Sequence, residues 1–200
     1  MTLLDRPQPE TAREQGVPVL KTERLVLRAP RPTDAKAIAM LANDRRIAEN
    51  TSRLPHPYRL ADAEGFIASV NKLADETAFV ITTHDGDLIG CCGIGSLREP
   101  DPEVGYWLGV PFWGNGYATE AVRAVLDHGF ADLGHAVILG GARISNPASR
   151  RVLEKCGFQW TGVGLYRVRA LNSSAPCDRF RLDRGLWASL KAWGNVRRVV

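Results

Sequence analysis

The chain has 200 residues, 44% of them hydrophobic and 24% charged, with 26 Lys and Arg against 22 Asp and Glu for a formal charge of +4. This composition fits one globular domain burying roughly two thirds of its unfolded surface, and it excludes disordered, collagen-like and coiled-coil chains. The basic excess is small and has no long run of one sign, so it demands no nucleic-acid partner. Residues 1–16 are rich in Pro, Gln, Glu and Arg and read as a loose N-terminal arm, with one domain over 17–200. Leu25, Val26 and Leu27, closed off by Pro30 and Pro32, predict a strand. Thr33 or Asp34 then caps a helix over Ala35 to Asn43 with Ile38, Leu41 and Ala42 inward. After a loop at Pro55 and Pro57, the helical spacing of Ala63, Phe66, Ile67, Val70 and Ala74 predicts a helix over Leu60 to Ala74.

Thr77 to Thr83 and Leu88 to Gly95 read as strands joined through His84-Asp85-Gly86-Asp87, since Asp-Gly between two β-rich runs signals a hairpin. Glu103 to Val110 is a further strand, and Ala118 to Leu133 is a strong amphipathic helix. The apolar run Ala136 to Ile144 suits a strand buried on both faces. A short helix over Ala148 to Cys156 ends at Gly157. Phe158 to Val168 and Phe180 to Leu182 are late strands, and Leu186 to Trp193 a terminal helix. The order β-α-α-β-β-β-α-β-α-β-β predicts an α/β (α+β) fold. Hairpin-linked strands are antiparallel, and the strand–helix–strand crossover from Glu103 to Ile144 is parallel and right-handed.

No apolar run approaches the ~20 residues of a membrane span. The N-terminus lacks a charged start, an apolar stretch and a cleavage site, so a cytoplasmic location is expected. Cys91, Cys92, Cys156 and Cys177 form no C-x-x-C pair and read as small buried residues, not as a metal cage or a disulfide framework.

The chemistry is concentrated in Glu103-Val-Gly-Tyr-Trp-Leu-Gly-Val-Pro-Phe-Trp-Gly-Asn-Gly-Tyr-Ala-Thr-Glu-Ala121. A strand runs into Gly114 and Gly116, which open directly onto a long helix. Such a junction presents unpaired N–H groups and the positive end of the helix dipole to one point, which suits a phosphate or pyrophosphate. A Gly-x-Gly turn is also a common tight connection. Neither the P-loop nor the dinucleotide fingerprint fits: no Lys follows Gly116, and the third position after it is Thr119.

The run P-x-x-W-G-N-G-Y-A-T-E-A resembles the acyl-CoA pyrophosphate loop of the GNAT superfamily of N-acyltransferases, nearest to its ribosomal-protein N-terminal acetyltransferase branch. Three collinear elements agree: T-E-R-L-V-L-R at Thr22 to Arg28, Glu103-Val-Gly-Tyr-Trp-Leu, and Asn146-Pro-Ala-Ser149 leading to Gly157-Phe158. The resemblance implies a mixed, mostly antiparallel sheet, splayed between its fourth and fifth strands, with helices on both faces. It implies that the main chain of Leu108, Gly109 and Val110 pairs with the pantetheine arm of acetyl-CoA. It assigns the pyrophosphate to the N–H groups of Gly114, Asn115, Gly116, Tyr117, Ala118 and Thr119, with Trp113 where other members carry Gln or Arg. Asn146 would bond the pantetheine amide region, Ser149 would lie near the thioester sulfur, and Arg150 and Arg151 are candidates for the adenosine phosphates.

The implied reaction is transfer of an acetyl group from acetyl-CoA to a primary amine, on a small molecule or a peptide N-terminus, with no metal. A carboxylate facing the splay takes the amine proton, directly or through water, if burial lifts its pKa toward neutrality. Glu103 matches that position. The N–H of Val110 would polarise the carbonyl, and Ser149 or a water it holds would serve the departing thiolate. A cysteine nucleophile would need a paired base, and His84, His128 and His135 show no such pairing, so direct transfer is expected. The alternatives are a non-catalytic acyl-CoA-binding module and, more weakly, an RNA-associated protein. The acceptor is shaped by segments near Thr33 to Ala74 and Tyr166 to Phe180, where Arg167, Arg169, Arg179 and Arg181 would either favour an acidic substrate or a peptide carboxylate or be solvated strand faces. An exposed late strand would allow a homodimer by edge pairing.

Overall fold

In the computed structural model, residues 13–14, 16–70, 76–95 and 101–196 are described. Strands β1 (Arg13–Glu14) and β2 (Val17–Pro18) pair as a small antiparallel ribbon at the end of the expected arm. The main sheet comprises β3 (Leu20–Lys21), β4 (Leu25–Arg28), β5 (Glu76–Thr83), β6 (Leu88–Gly95), β7 (Glu103–Leu108), β8 (Val137–Arg143), β9 (Gln159–Val168) and β10 (Ser173–Asp183), in the order β3-β4-β5-β6-β7-β8-β10-β9. The helices are α1 (Ala35–Ala42), α2 (Arg45–Ala48), α3 (Leu60–Val70), α4 (Tyr117–Asp127), α5 (Pro147–Lys155) and α6 (Arg184–Val196). None is long and apolar enough to cross a membrane.

Among the described residues each strand pairing of the main sheet is antiparallel except β7 with β8. That parallel pair is what the α4 crossover requires. It holds only at Glu103↔Leu139 and Val104↔Gly140, with Leu139 N–H bonded to Pro102 O at 2.8 Å. Beyond Val104 the two strands part, and the sheet is open along the rest of β7. This is the expected mixed, mostly antiparallel sheet with helices on both faces.

Alternation along the strands divides the core between the two faces. Leu27, Phe79, Ile94 and Ile138 bury one face against Val122, Val125 and Leu126 of α4 and Leu153 of α5. Val80 and Cys91 turn to the other face, against Ile38 and Ala42 of α1 and Ala63 and Ile67 of α3. Fully burying a side chain of this size stabilises by about 1.5–3 kcal/mol, so the apolar stripes decide which side each helix covers.

The structure corrects several expectations. β8 is not buried on both faces: Ile138, Gly140 and Ala142 are buried while Val137, Leu139, Gly141 and Arg143 are half-buried, because the splay leaves one face uncovered. The expected Phe180–Leu182 strand extends over eleven residues, Ser173–Asp183, because it pairs with both β8 and β9. The single-turn helix α2 lies in a stretch for which the sequence makes no prediction. Val163 and Leu165 of β9, at the sheet edge, are exposed. Residues 71–74 of the expected Leu60–Ala74 helix and most of the arm lie outside the described residues.

Asp34 does not cap α1 with its side chain. Pro32–Asp34 forms a 3-10 turn ahead of the helix, and the carboxylate faces back to β4. It accepts both guanidinium nitrogens of Arg28, at 2.8 and 2.9 Å, and the Arg31 N–H at 2.7 Å. Burial raises this carboxyl, but the Arg28 and Arg31 contacts outweigh it and hold it below its ordinary 3.8. A depressed folded-state pKa contributes stability above the ordinary carboxylate value and loses it as pH falls through the folded value. Asp34→Asn should therefore cost roughly 3 kcal/mol at neutral pH. In urea unfolding the gap to the parent should shrink as pH drops below 3.8; a gap constant with pH would contradict this role for the charge.

Candidate active site

β7 carries the site from one end to the other. In an antiparallel ladder, successive residues turn their N–H and C=O alternately to either side. The Gly109 N–H bond to Ile89 O, at 2.8 Å, fixes the phase. The main chain of Tyr106 and Leu108 therefore points away from β6 and into the splay. One lone pair of Leu108 O is already used by the Trp113 indole N–H at 2.8 Å. Gly109 O accepts Phe112 N–H and Val110 O accepts Trp113 N–H within a 3-10 turn over Val110–Phe112. What this stretch offers a ligand is thus mainly amide donors, among them Val110 N–H at the start of the turn.

The glycine turn follows at once. Gly114 and Gly116 sit at φ +81° and +80°, the left-handed region that residues with a Cβ rarely adopt. Gly116 is the N-cap of α4 and gives no side-chain cap, so the N–H groups of Tyr117, Ala118 and Thr119 in the first turn have no intrahelical acceptor. The start of α5 differs: Asn146 Oδ1 accepts Ser149 N–H at 3.1 Å. One helix start is closed by its own sequence and the other is open for an anion.

Arg24, Thr22 and Glu120 brace the open turn. Glu120 Oε1 accepts Thr22 Oγ1–H at 2.6 Å and Arg24 N–H at 2.9 Å, and its Oε2 accepts Arg24 Nε–H at 2.7 Å. Arg24 Nη1 donates to Asn115 O at 2.9 Å, and the guanidinium lies 4.7 Å over the Tyr117 ring. Burial raises Glu120, but the Thr22 and Arg24 hydrogen bonds dominate and hold it below its ordinary value. Sequence reasoning missed this brace. Both halves lie inside the motifs T-E-R-L-V-L-R and A-T-E-A, but a separation of 96 residues gives no hint that they meet.

At the other end of β7, Glu103 lines a cavity of about 210 Å³ together with Tyr106, Ser149, Gly141, Arg143 and Tyr166. Its carboxylate lies over Gly141: a Cβ there would come 3.2 Å from Glu103 Oε1 and 2.9 Å from Tyr166 Cε2. The missing side chain makes the room. Tyr106 Oη lies 2.8 Å from Ser149 Oγ and 3.1 Å from Ser149 O. Burial raises the Tyr106 phenol well above its ordinary value, so it stays protonated near neutrality and serves as a donor. Tyr106 was read only as a strand residue, since its partner lies across the splay. The segment Asn50 to Leu54, Phe66 and Val168 also line this cavity.

Glu103 and Ser149 thus share one cavity, while Gly114 to Thr119 form the open helix start at the far end of β7. Asn146 commits its side-chain carbonyl to its own helix. Arg150 is engaged by Glu154 at 2.9 Å and Asp178 at 3.1 Å. The exposed Arg167, Arg169, Arg179 and Arg181 are not in the cavity wall; Arg53 and Arg143 are.

All four cysteines are buried free thiols. Burial pushes Cys91 and Cys92 far up and Cys156 up to about 11, so these three are poor nucleophiles at neutral pH. Among the described residues no group of three or more His, Cys, Asp and Glu is placed to hold a metal ion.

Residues 24–159 match the acetyltransferase (GNAT) domain family. The chain is 33% identical over 153 residues to the uncharacterized N-acetyltransferase YoaA of Bacillus subtilis (strain 168), covering 73% of this chain and 85% of that protein. Its fold is similar to Mycobacterium smegmatis RimJ in complex with CoA-disulfide, with a TM-score of 0.73 at 21% identity, over 89% of this chain and 94% of that one. It is also similar to the Vibrio cholerae spermidine N-acetyltransferase in complex with CoA and spermine, with a TM-score of 0.71 at 21% identity, over 84% and 99%. The uncapped glycine turn, the splayed sheet and the family match agree: this chain belongs to the GNAT acetyltransferases, enzymes that use acetyl-CoA as the donor for N-acetylation.

Proposed function

We propose that the protein acetylates a primary amine, on a small molecule or a peptide N-terminus, by direct attack with Glu103 as general base. The observation that carries this reading is the carboxylate of Glu103 beside the space left by Gly141, in one cavity with the Ser149–Tyr106 pair. Acetyl-CoA supplies an activated thioester carbonyl. The N–H groups of Gly114 to Thr119 would hold its pyrophosphate, and the amide donors of β7 with the Asn146 side chain would hold its pantetheine. Glu103 accepts the proton that the amine nitrogen must lose as it bonds to the carbonyl carbon. Val110 N–H faces the charge that develops on the carbonyl oxygen. Ser149, backed by the buried hydroxyl of Tyr106, donates a hydrogen bond to the sulfur as the carbon–sulfur bond breaks. No covalent enzyme intermediate is involved, and the raised thiols of Cys91, Cys92 and Cys156 support that.

The test is calorimetric titration of acetyl-CoA paired with a thiol-release assay over amines and peptide N-termini. Binding on the order of micromolar, with amine-dependent thiol release, is the expected result. No acetyl-CoA binding would overturn the assignment of the Gly114–Thr119 turn. Binding without release on any amine or peptide would favour an acyl-CoA-binding role instead.

A further inference from the structure

The cavity wall contains two polar groups whose needs the fold leaves unmet. Arg143 donates Nη1–H to Glu49 O at 2.6 Å, while its Nε–H is buried with no acceptor. Asn50 gives its amide nitrogen to Arg46 O at 2.8 Å, while its Oδ1 is buried with no donor. No carboxylate pairs with Arg143 among the described residues. A buried donor on a cation and a buried acceptor each carry a desolvation cost that a ligand can relieve, so such pairs mark what a site is built to bind. Both residues line the same cavity as Glu103.

Their placement sets the spacing. Gly141 and Arg143 are two residues apart on β8, so they project to the same face, roughly 6.6 Å apart along the strand. Glu103 lies over Gly141. One cavity thus holds a carboxylate over Gly141, the guanidinium-bearing residue one pleat further along β8, the buried Asn50 Oδ1, and Phe66 and Tyr166 in the wall. A molecule complementary to this order carries an amine and, within a bond or two of it, a carboxylate. A polyamine offers nothing to Arg143.

We infer that the acceptor is an amine bearing a carboxylate, an amino-acid type substrate, whose carboxylate is bound by Arg143 while its amine is presented between Glu103 and Asn50 Oδ1. The inference rests on the N-acetyltransferase reading above and narrows its acceptor. Arg143 is a specificity-determining residue here, and the exposed Arg167, Arg169, Arg179 and Arg181 are not.

The test uses matched sets: phenylalanine with its methyl ester and phenethylamine, leucine with its methyl ester and isoamylamine, and spermidine as a polyamine. Thiol release is followed with acetyl-CoA, and calorimetry follows binding of each compound to the protein with and without CoA. The free acids should exceed their esters and decarboxylated amines in kcat/KM by at least about tenfold, the effect of one hydrogen-bonded charge. In Arg143→Met that preference should fall to within about twofold, with acetyl-CoA affinity unchanged, and Arg143→Lys should recover part of it. Because the readout is a ratio between acceptors, a partly folded variant does not mimic the result. Esters or amines equal to the acids, spermidine as the best acceptor, or a preference surviving in Arg143→Met would overturn the proposal. If nothing in the set is acetylated, Arg143-dependent binding of the acids upholds it, and its absence overturns it. Acetyl-CoA binding with turnover of amines but not of acids would sink this inference while leaving the N-acetyltransferase reading intact.

Discussion

Replacing Glu103 by Gln is expected to lower kcat/KM for the amine by about 10²- to 10³-fold while acetyl-CoA affinity stays within about twofold, the usual weight of a positioned general base. The substitution keeps volume and a hydrogen-bonding side chain but removes the group that accepts a proton. The effect should fall on turnover because Glu103 stands at the start of β7, with the rest of the strand between it and the glycine turn at Gly114. Its carboxylate reaches the cavity because Gly141, two residues beyond its register partner Leu139 on β8, has no side chain to fill the space. Single-turnover thiol release with pre-bound acetyl-CoA separates the chemical step from binding. A Gln variant within about threefold of the parent in that experiment would move the base elsewhere.

Replacing Arg24 by Ala is expected to weaken acetyl-CoA binding by about ten- to thirtyfold with little change in kcat at saturation, through loss of a charge-assisted bond. Arg24 is 44% exposed, so its ion pair with Glu120 by itself is worth little. The larger consequences are two. Asn115 O loses the donor that fixes the turn. Glu120, in the first turn of α4, is left with an unbalanced negative charge at the helix end proposed to hold the pyrophosphate. The second consequence predicts a coupling: Arg24→Ala combined with Glu120→Ala should bind acetyl-CoA more tightly than Arg24→Ala alone. Calorimetry on the four proteins of that cycle decides it, and strictly additive losses would rule out the charge-balancing role.

Much of the fold was legible because local patterns and global packing agree. The Asp-Gly turn at Asp85-Gly86 announces the β5–β6 hairpin, and Gly86 adopts φ +95° as that turn requires. The stripe Ala121, Val122, Val125 and Leu126 gives α4 an apolar face, and that face is buried. Gly157, at φ +91°, ends α5 as its position implied. The misreadings occur where a distant partner outvotes the local signal. The first residues of β10, with Pro176 among them, carry no strand prediction, and pairing with β8 and β9 draws them into the sheet. Asp34 carries a capping signature, but the Arg28 guanidinium competes for its carboxylate and wins.

The candidate site divides along the same line. The sequence by itself determined the anion turn, because glycines at positive φ followed by an uncapped helix are a property of consecutive residues. It likewise determined the strand bearing Glu103 and the Asn146 cap of α5, both held within a few residues of chain. The tertiary structure alone decided that β7 and β8 part after Val104, that Glu103 lies over Gly141, that Tyr106 meets Ser149, that Arg24 braces Asn115, and that Arg143 faces the cavity with Asn50. The side-chain contacts among these join residues of different elements: Glu103 and Gly141 are 38 positions apart and Tyr106 and Ser149 are 43 apart. Such contacts arise from strand register and helix docking, and no local periodicity encodes them.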